Sequence, residues 1–142
     1  MKAITLHQPW ASLVALGKKK IETRSWATNH RGVLAIHAAK YYPNDRRSLT
    51  HTYPFADCLR GAIPCHQRLG VVVCTCTLID CVKMTPEFID TIEEPERSFG
   101  WYKPGRYAWV LRDIYQLKNP IEARGQQGLW DFTPPILELI NI

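Results

Sequence analysis

The sequence predicts an α+β fold, a small mixed β-barrel with a few short flanking helices. Three observations point there. Apolar, β-branched runs recur at strand length, the fullest being residues 70–82. Helices are few and short: one starts near Pro9, another at Thr85-Pro86, and 41–69 admits only short helices between its prolines. Finally, 142 residues with 46% apolar content support one core and not two, so the chain is read as one domain over 1–142. No internal repeat or Gly/Ser linker divides it.

The elements follow in order. Residues 3–7 read as a short strand, and Pro9, which has no N–H to lose, suits the first position of a helix. Trp10, Leu13 and Val14 share one helical face, and Gly17 can take the left-handed conformation that ends it. In 18–26, period-two projection puts Lys20, Glu22, Arg24 and Trp26 on one face of a charged strand. Residues 32–39 form a core strand that carries His37 and reaches a polar edge at Lys40. Pro43, Pro54 and Pro64 restrict 41–69 to short helices between breaks. Residues 70–82 are expected to be the longest central strand, with Asp80 near its end. Thr85 caps a helix that the acidic patch Glu93-Glu94-Pro95-Glu96 ends. Pro104-Gly105 has the order of a type II turn and predicts a hairpin between 101–103 and 107–112, with Tyr102, Tyr107 and Trp109 as cross-strand partners. An apolar stretch at 136–140 closes the chain.

Charge and cysteine usage narrow the function. A formal charge of +5, from 18 basic and 13 acidic residues, favours an anionic partner such as RNA or DNA. No apolar run approaches the roughly 18 to 20 residues of a membrane helix, and no leader pattern opens the chain, so no membrane association and a cytoplasmic location are expected. The odd set Cys58, Cys65, Cys74, Cys76 and Cys81 fits reduced thiols better than a disulfide framework. Cys58, Cys65, His66, Cys74 and Cys76 lack the CxxC spacing of a zinc site, and no Walker loop, dinucleotide fingerprint or serine nucleophile elbow occurs. Neither a metal nor a cofactor is expected, and the pattern assigns no oligomeric state.

Gln8-Pro9-Trp10-Ala11, followed by Gly17-Lys18-Lys19-Lys20-Ile21-Glu22-Thr23-Arg24, resembles the G-x-K-x-x-E-x-R signature of ASCH (activating signal cointegrator homology) domains. The likeness continues through Ser25-Trp26, Arg31-Gly32, Ala35-Ile36-His37-Ala38-Ala39-Lys40 and the strand from Gly70 to Asp80, and more loosely through 107–111 and 128–130. It implies a PUA-like β-barrel whose cleft, beside the first helix, receives Lys19, Glu22 and Arg24. It also implies binding of RNA or another nucleic acid. A short bacterial branch similar to this family is an amidohydrolase that deacylates N4-acetylcytidine with a lysine, a threonine and a glutamate. Lys19 corresponds to that lysine, whereas Glu22 stands where the threonine is expected.

The candidate site is therefore Gln8, Trp10, Lys19, Glu22, Arg24, Trp26, His37 and Lys40. Lys19 can contact phosphate or a base carbonyl, or it can sit in a solvated basic turn favoured by the helix dipole. Glu22, held by Arg24, can accept from an exocyclic amine, or the two can form a partly buried structural ion pair. Trp10 and Trp26 can stack on bases or fill the core. His37 on an apolar strand is a buried core histidine or a general base. In the enzymatic alternative, Glu22 or His37 activates water and Lys19 stabilises the oxyanion formed on a modified nucleoside.

Overall fold

The structure is a computed structural model that describes residues 1–60 and 68–135. Among the described residues the order is β1 (Lys2–Leu6), α1 (Trp10–Ala15), β2 (Ile21–Arg24), β3 (Gly32–Ala38), α2 (Asn44–Leu49), α3 (Phe55–Leu59), β4 (Val71–Lys83), α4 (Pro86–Asp90), a 3-10 turn (Glu96–Phe99), β5 (Tyr107–Glu122) and β6 (Trp130–Asp131). Six strands form one mixed sheet in the order β2-β5-β4-β3-β1-β6. β1 and β3 are parallel, and the other pairs are antiparallel. This is the expected α+β, PUA-like, barrel-like arrangement, with the ladder left open between β2 and β6. No helix among the described residues is long and apolar enough to cross a membrane.

Both faces of the sheet centre are covered. In β3, Leu34, Ile36 and Ala38 join Val14, Cys74, Cys76, Trp109 and Leu111 under α1. Ala35 faces the other way, against Val72, Leu117, Ile121 and Trp130. Double burial explains the apolar run Leu34-Ala35-Ile36 in this strand. Cys74 and Cys76 serve as small apolar core groups, and burial pushes the Cys76 thiol up to about 12. The described residues hold no cluster of three or more metal-ligating side chains. Cys65 and His66 lie outside the described residues, as does the 136–140 stretch.

α1 is placed by polar clamps at both ends. Pro9 is its N-cap, one position earlier than its sequence reading. The buried Gln8 accepts from Ser12 N at 3.0 Å and donates to Arg68 O at 2.9 Å. Gln8 thus satisfies an orphan helix donor and anchors the segment before β4. At the other end Gly17 adopts φ +74°, and the N–H groups of Lys18 and Lys19 both donate to Leu13 O. That tight reversal turns Lys19 inward.

Two strand expectations need correction. β5, with 16 residues, and not β4, with 13, is the longest strand. The β4–β5 register shifts at three points, and Asp113 takes φ 52°. Such bulges bend a ribbon and break the period-two pattern by which a strand is recognised. Pro120 is tolerated because β2 pairs only with Tyr107–Val110, leaving that stretch of β5 unpaired on its other side. The Pro104-Gly105 turn forms, with Arg106 N donating to Lys103 O at 3.1 Å, but 101–103 are not a strand. β5 pairs instead with β4, so Tyr107 faces Lys83 and Trp109 faces Cys81. Thr85 caps α4 as expected, accepting from Phe88 N at 3.1 Å.

Trp109 is fully buried, packs edge-on to Trp26 at 4.9 Å and donates to Trp26 O at 3.3 Å. Trp109→Ala is expected to cost about 3–5 kcal/mol of stability, measured by urea denaturation followed by far-UV circular dichroism.

Candidate functional site

β2 is only four residues long, yet Glu22 in it pairs with two cations, more than any other carboxylate among the described residues. Lys19 precedes it and is completely buried. Its ammonium donates to Ile21 O at 2.5 Å and to Phe99 O at 3.2 Å, and lies 3.4 Å from Glu22 Oε1. The other oxygen, Glu22 Oε2, lies 3.0 Å from Arg24 Nε. Arg24 in turn donates through Nη2 to Thr5 O at 3.0 Å, at the end of β1. In the ladder β1 and β2 are separated by β3, β4 and β5. The Arg24–Thr5 bond therefore joins two strands that are distant along the sheet, which places it at the seam where the curled sheet meets itself.

A cavity of about 490 Å³ opens at this seam. Glu22, Arg24, His7 and three tryptophans, Trp10, Trp26 and Trp101, line it. Trp26 is braced by Trp109, and Trp10 stands edge-on to Phe55 at 6.1 Å. Trp101 is 63% exposed, and the Arg106 guanidinium lies 4.2 Å over its ring. Trp101 N donates to Thr23 Oγ1 at 3.0 Å, and Arg106 Nε donates to Trp101 O at 2.9 Å. Gly100 makes this docking possible, because a Cβ there would sit 2.8 Å from Thr23 Cγ2 and 2.9 Å from Tyr102 Cε2. The tryptophan is thus held against the exposed side of β2 by its backbone while its ring stays accessible.

Beneath the cavity the ionic cluster extends to Glu96, whose Oε1 accepts from Lys20 N at 2.7 Å. Burial raises the Glu96 carboxyl above its ordinary value, against the pull of the Lys20 N–H and the Lys19 ammonium. Burial likewise raises the Tyr102 hydroxyl, helped by the negative Glu96 and Glu22 nearby. Glu96 begins the 3-10 turn and reaches across to β2, a role beyond the helix-ending one read from the acidic patch.

Of the eight residues picked out from the sequence, four line this cavity: Trp10, Glu22, Arg24 and Trp26. Lys19 lies under its floor and not in its lining, and Gln8 is buried at the foot of α1. His37 and Lys40 line a second, separate depression of about 920 Å³ beyond β1. In His37, Nε2 donates to Ala123 O at 2.7 Å, which leaves Nδ1 to accept from the Thr5 hydroxyl at 3.3 Å. Trp130 Nε1 donates to the same hydroxyl at 3.1 Å, so all three groups are satisfied with the proton on His37 Nε2. Burial holds the His37 pKa below its ordinary value, and the bond to Ala123 opposes that shift. Among the lining residues that sequence reasoning missed, Trp101, Arg106 and His7 carry a ring or a charge. Trp101 and Arg106 flank the Pro-Gly turn, and their signal was an aromatic and a guanidinium outside any apolar pattern.

The ASCH domain family matches residues 4–121, the span that contains both strands of the seam. The chain belongs to the ASCH domain family. Activating signal cointegrator 1 from mouse and from human is 36% identical over 141 residues, a match that covers 89% of this chain. The chain spans about a quarter of the length of those curated relatives, 24% of each. The crystal structure of ASCH from Zymomonas mobilis shares the fold at a TM-score of 0.53 and 16% identity, covering 99% of this chain and 91% of that one. A single-site variant of the same bacterial protein gives 0.54 at 17% identity, covering 96% and 91%. The G-x-K-x-x-E-x-R signature of this ASCH chain is thus divided by depth: the lysine builds the floor, and the glutamate and arginine face the opening.

Two predictions follow from these contacts. Lys19→Met leaves Glu22 without its buried counter-ion and two carbonyls without a donor, so stability is expected to fall by about 3 kcal/mol in urea titrations. For His37, the folded pKa lies below the unfolded one, so its contribution is complete above about pH 6.5 and lost as pH falls below it. The melting temperature of His37→Gln should therefore change less between pH 7 and pH 5 than that of the native chain, as read by differential scanning fluorimetry.

Proposed function

We propose that the seam cavity binds a nucleobase of a single-stranded nucleic acid, RNA in the first instance, and that this chain is a reader and not a catalyst. The observation that carries the proposal is the trio Trp10, Trp26 and Trp101 around a fixed Glu22–Arg24 pair. Aromatic walls provide stacking that accepts any base. Glu22 is held by a cation on each oxygen, and its remaining lone pairs can accept from an exocyclic amine. Arg24 and Arg106 bring positive charge to the rim, where a sugar–phosphate backbone would leave the cavity. The net charge of +5 agrees in sign. Lys19 is then a positioning cation that orients Glu22 from below. Its ammonium already contacts two carbonyls and a carboxylate, which argues against a nucleophilic or oxyanion role on N4-acetylcytidine. The reduced thiols Cys58, Cys74, Cys76 and Cys81 suit a cytoplasmic setting.

Fluorescence anisotropy with labelled single-stranded RNA and DNA oligonucleotides tests this reading. Binding is expected, and Trp101→Ala should weaken it by about 1–3 kcal/mol, the worth of one base–aromatic stack. Absence of binding, or affinity indifferent to Trp101, would count against the reading. Chromatography of N4-acetylcytidine incubated with the protein should show no cytidine, and release that depends on Lys19 would establish the hydrolase instead.

A further inference from the structure

We infer that the larger depression next to the tryptophan cavity is the subsite for the sugar–phosphate of the neighbouring nucleotide, so that a single strand crosses the end of β1. This rests on the base-binding reading of the first cavity. The two cavities share Thr5 in their linings, and His7 lines the first while Tyr41 lines the second. The two rings stand edge-on with centroids 6.2 Å apart, and Tyr41 is 65% exposed. Arg46 sits over the Tyr41 ring at 5.6 Å, adding a cation beside the path.

The chemistry of the depression is that of a phosphate site. Lys40, just past β3, and Arg124, just past β5, both line it. Among the described residues neither forms an ion pair, although Glu122 lines the same depression. The stem of Lys40 is laid across Gly70, where a Cβ would come within 2.9 Å of Lys40 Cε. His37 ties down Ala123 O, one residue before Arg124. Lys40 and Arg124 thus bring two cations to one depression, and Gln126 and Gln127 supply neutral donors beside them. The volume of about 920 Å³ is more than a phosphate alone requires.

The test compares the native chain with Lys40→Gln/Arg124→Gln, which keeps polar side chains in place and removes both charges. Anisotropy with single-stranded RNA is measured across a salt series, and inorganic pyrophosphate is titrated while amide shifts are followed by NMR. The slope of log K against log salt is expected to flatten by about 1.4 in the double variant, two contacts at about 0.7 each on a single strand. Pyrophosphate should shift the amides of Lys40 and of 123–127 in the native chain and not in the variant. Trp101→Ala should weaken RNA binding and leave both the slope and the pyrophosphate response unchanged. An unaltered slope in the double variant, or pyrophosphate shifts confined to other segments, would overturn the subsite while Trp101-dependent binding kept the base-binding reading. Pyrophosphate shifts at 123–127 without any RNA binding would overturn the strand path together with that reading.

Discussion

A single buried ammonium organises this molecule. Lys19 is completely inaccessible, and a charge in that position persists only because two carbonyls and the Glu22 carboxylate surround it. Each partner belongs to a different part of the chain: Ile21 O and Glu22 to β2, Phe99 O to the 3-10 turn that carries on to Trp101. The ammonium therefore pins the segment bearing the exposed tryptophan to the strand bearing the carboxylate. Glu22 relays the constraint to Arg24, and Arg24 relays it to Thr5 O across the seam. One ionic chain thus fixes the carboxylate, the arginine and an aromatic wall of the same cavity.

Thr5 occupies a comparable position on the neighbouring side. Its carbonyl accepts from Arg24, and its hydroxyl links Trp130 to His37. The end of β1 is consequently braced from both directions, with one cavity on each flank. His37 is better understood as a strut than as a base: both ring nitrogens are engaged, and burial favours the neutral ring. Gln8 plays the same kind of part under α1, where its amide joins the helix start to Arg68. Gln8, Lys19 and His37, all deeply buried, hold backbone carbonyls in position, whereas Glu22 and Arg24 line an opening.

Period and turn chemistry were legible wherever the chain is regular. β1, α1, β3, β4 and the Thr85 cap follow from alternation, from a helical stripe and from capping residues that act within a few positions of themselves. β5 escaped beyond Arg112 because its bulges shift the register of alternation, and Pro120 is acceptable only where no neighbouring strand needs its N–H. The Pro-Gly turn was legible as a turn, yet its partner strand was not, since β4 reaches it across the intervening residues 84–106.

Local sequence by itself determined the strand-rich α+β class, the charged β2 face with Glu22 beside Arg24, and the positive balance that favours an anionic partner. Those properties depend on neighbours within a few residues or on composition alone. Only the tertiary structure decided that Lys19 is floor and not lining, that Trp101 completes the cavity, and that His37 and Lys40 belong to a different depression. The physical reason is that depth is a property of the seam: it depends on which distant backbone closes over a side chain, and Phe99, 80 residues from Lys19, closes over this one.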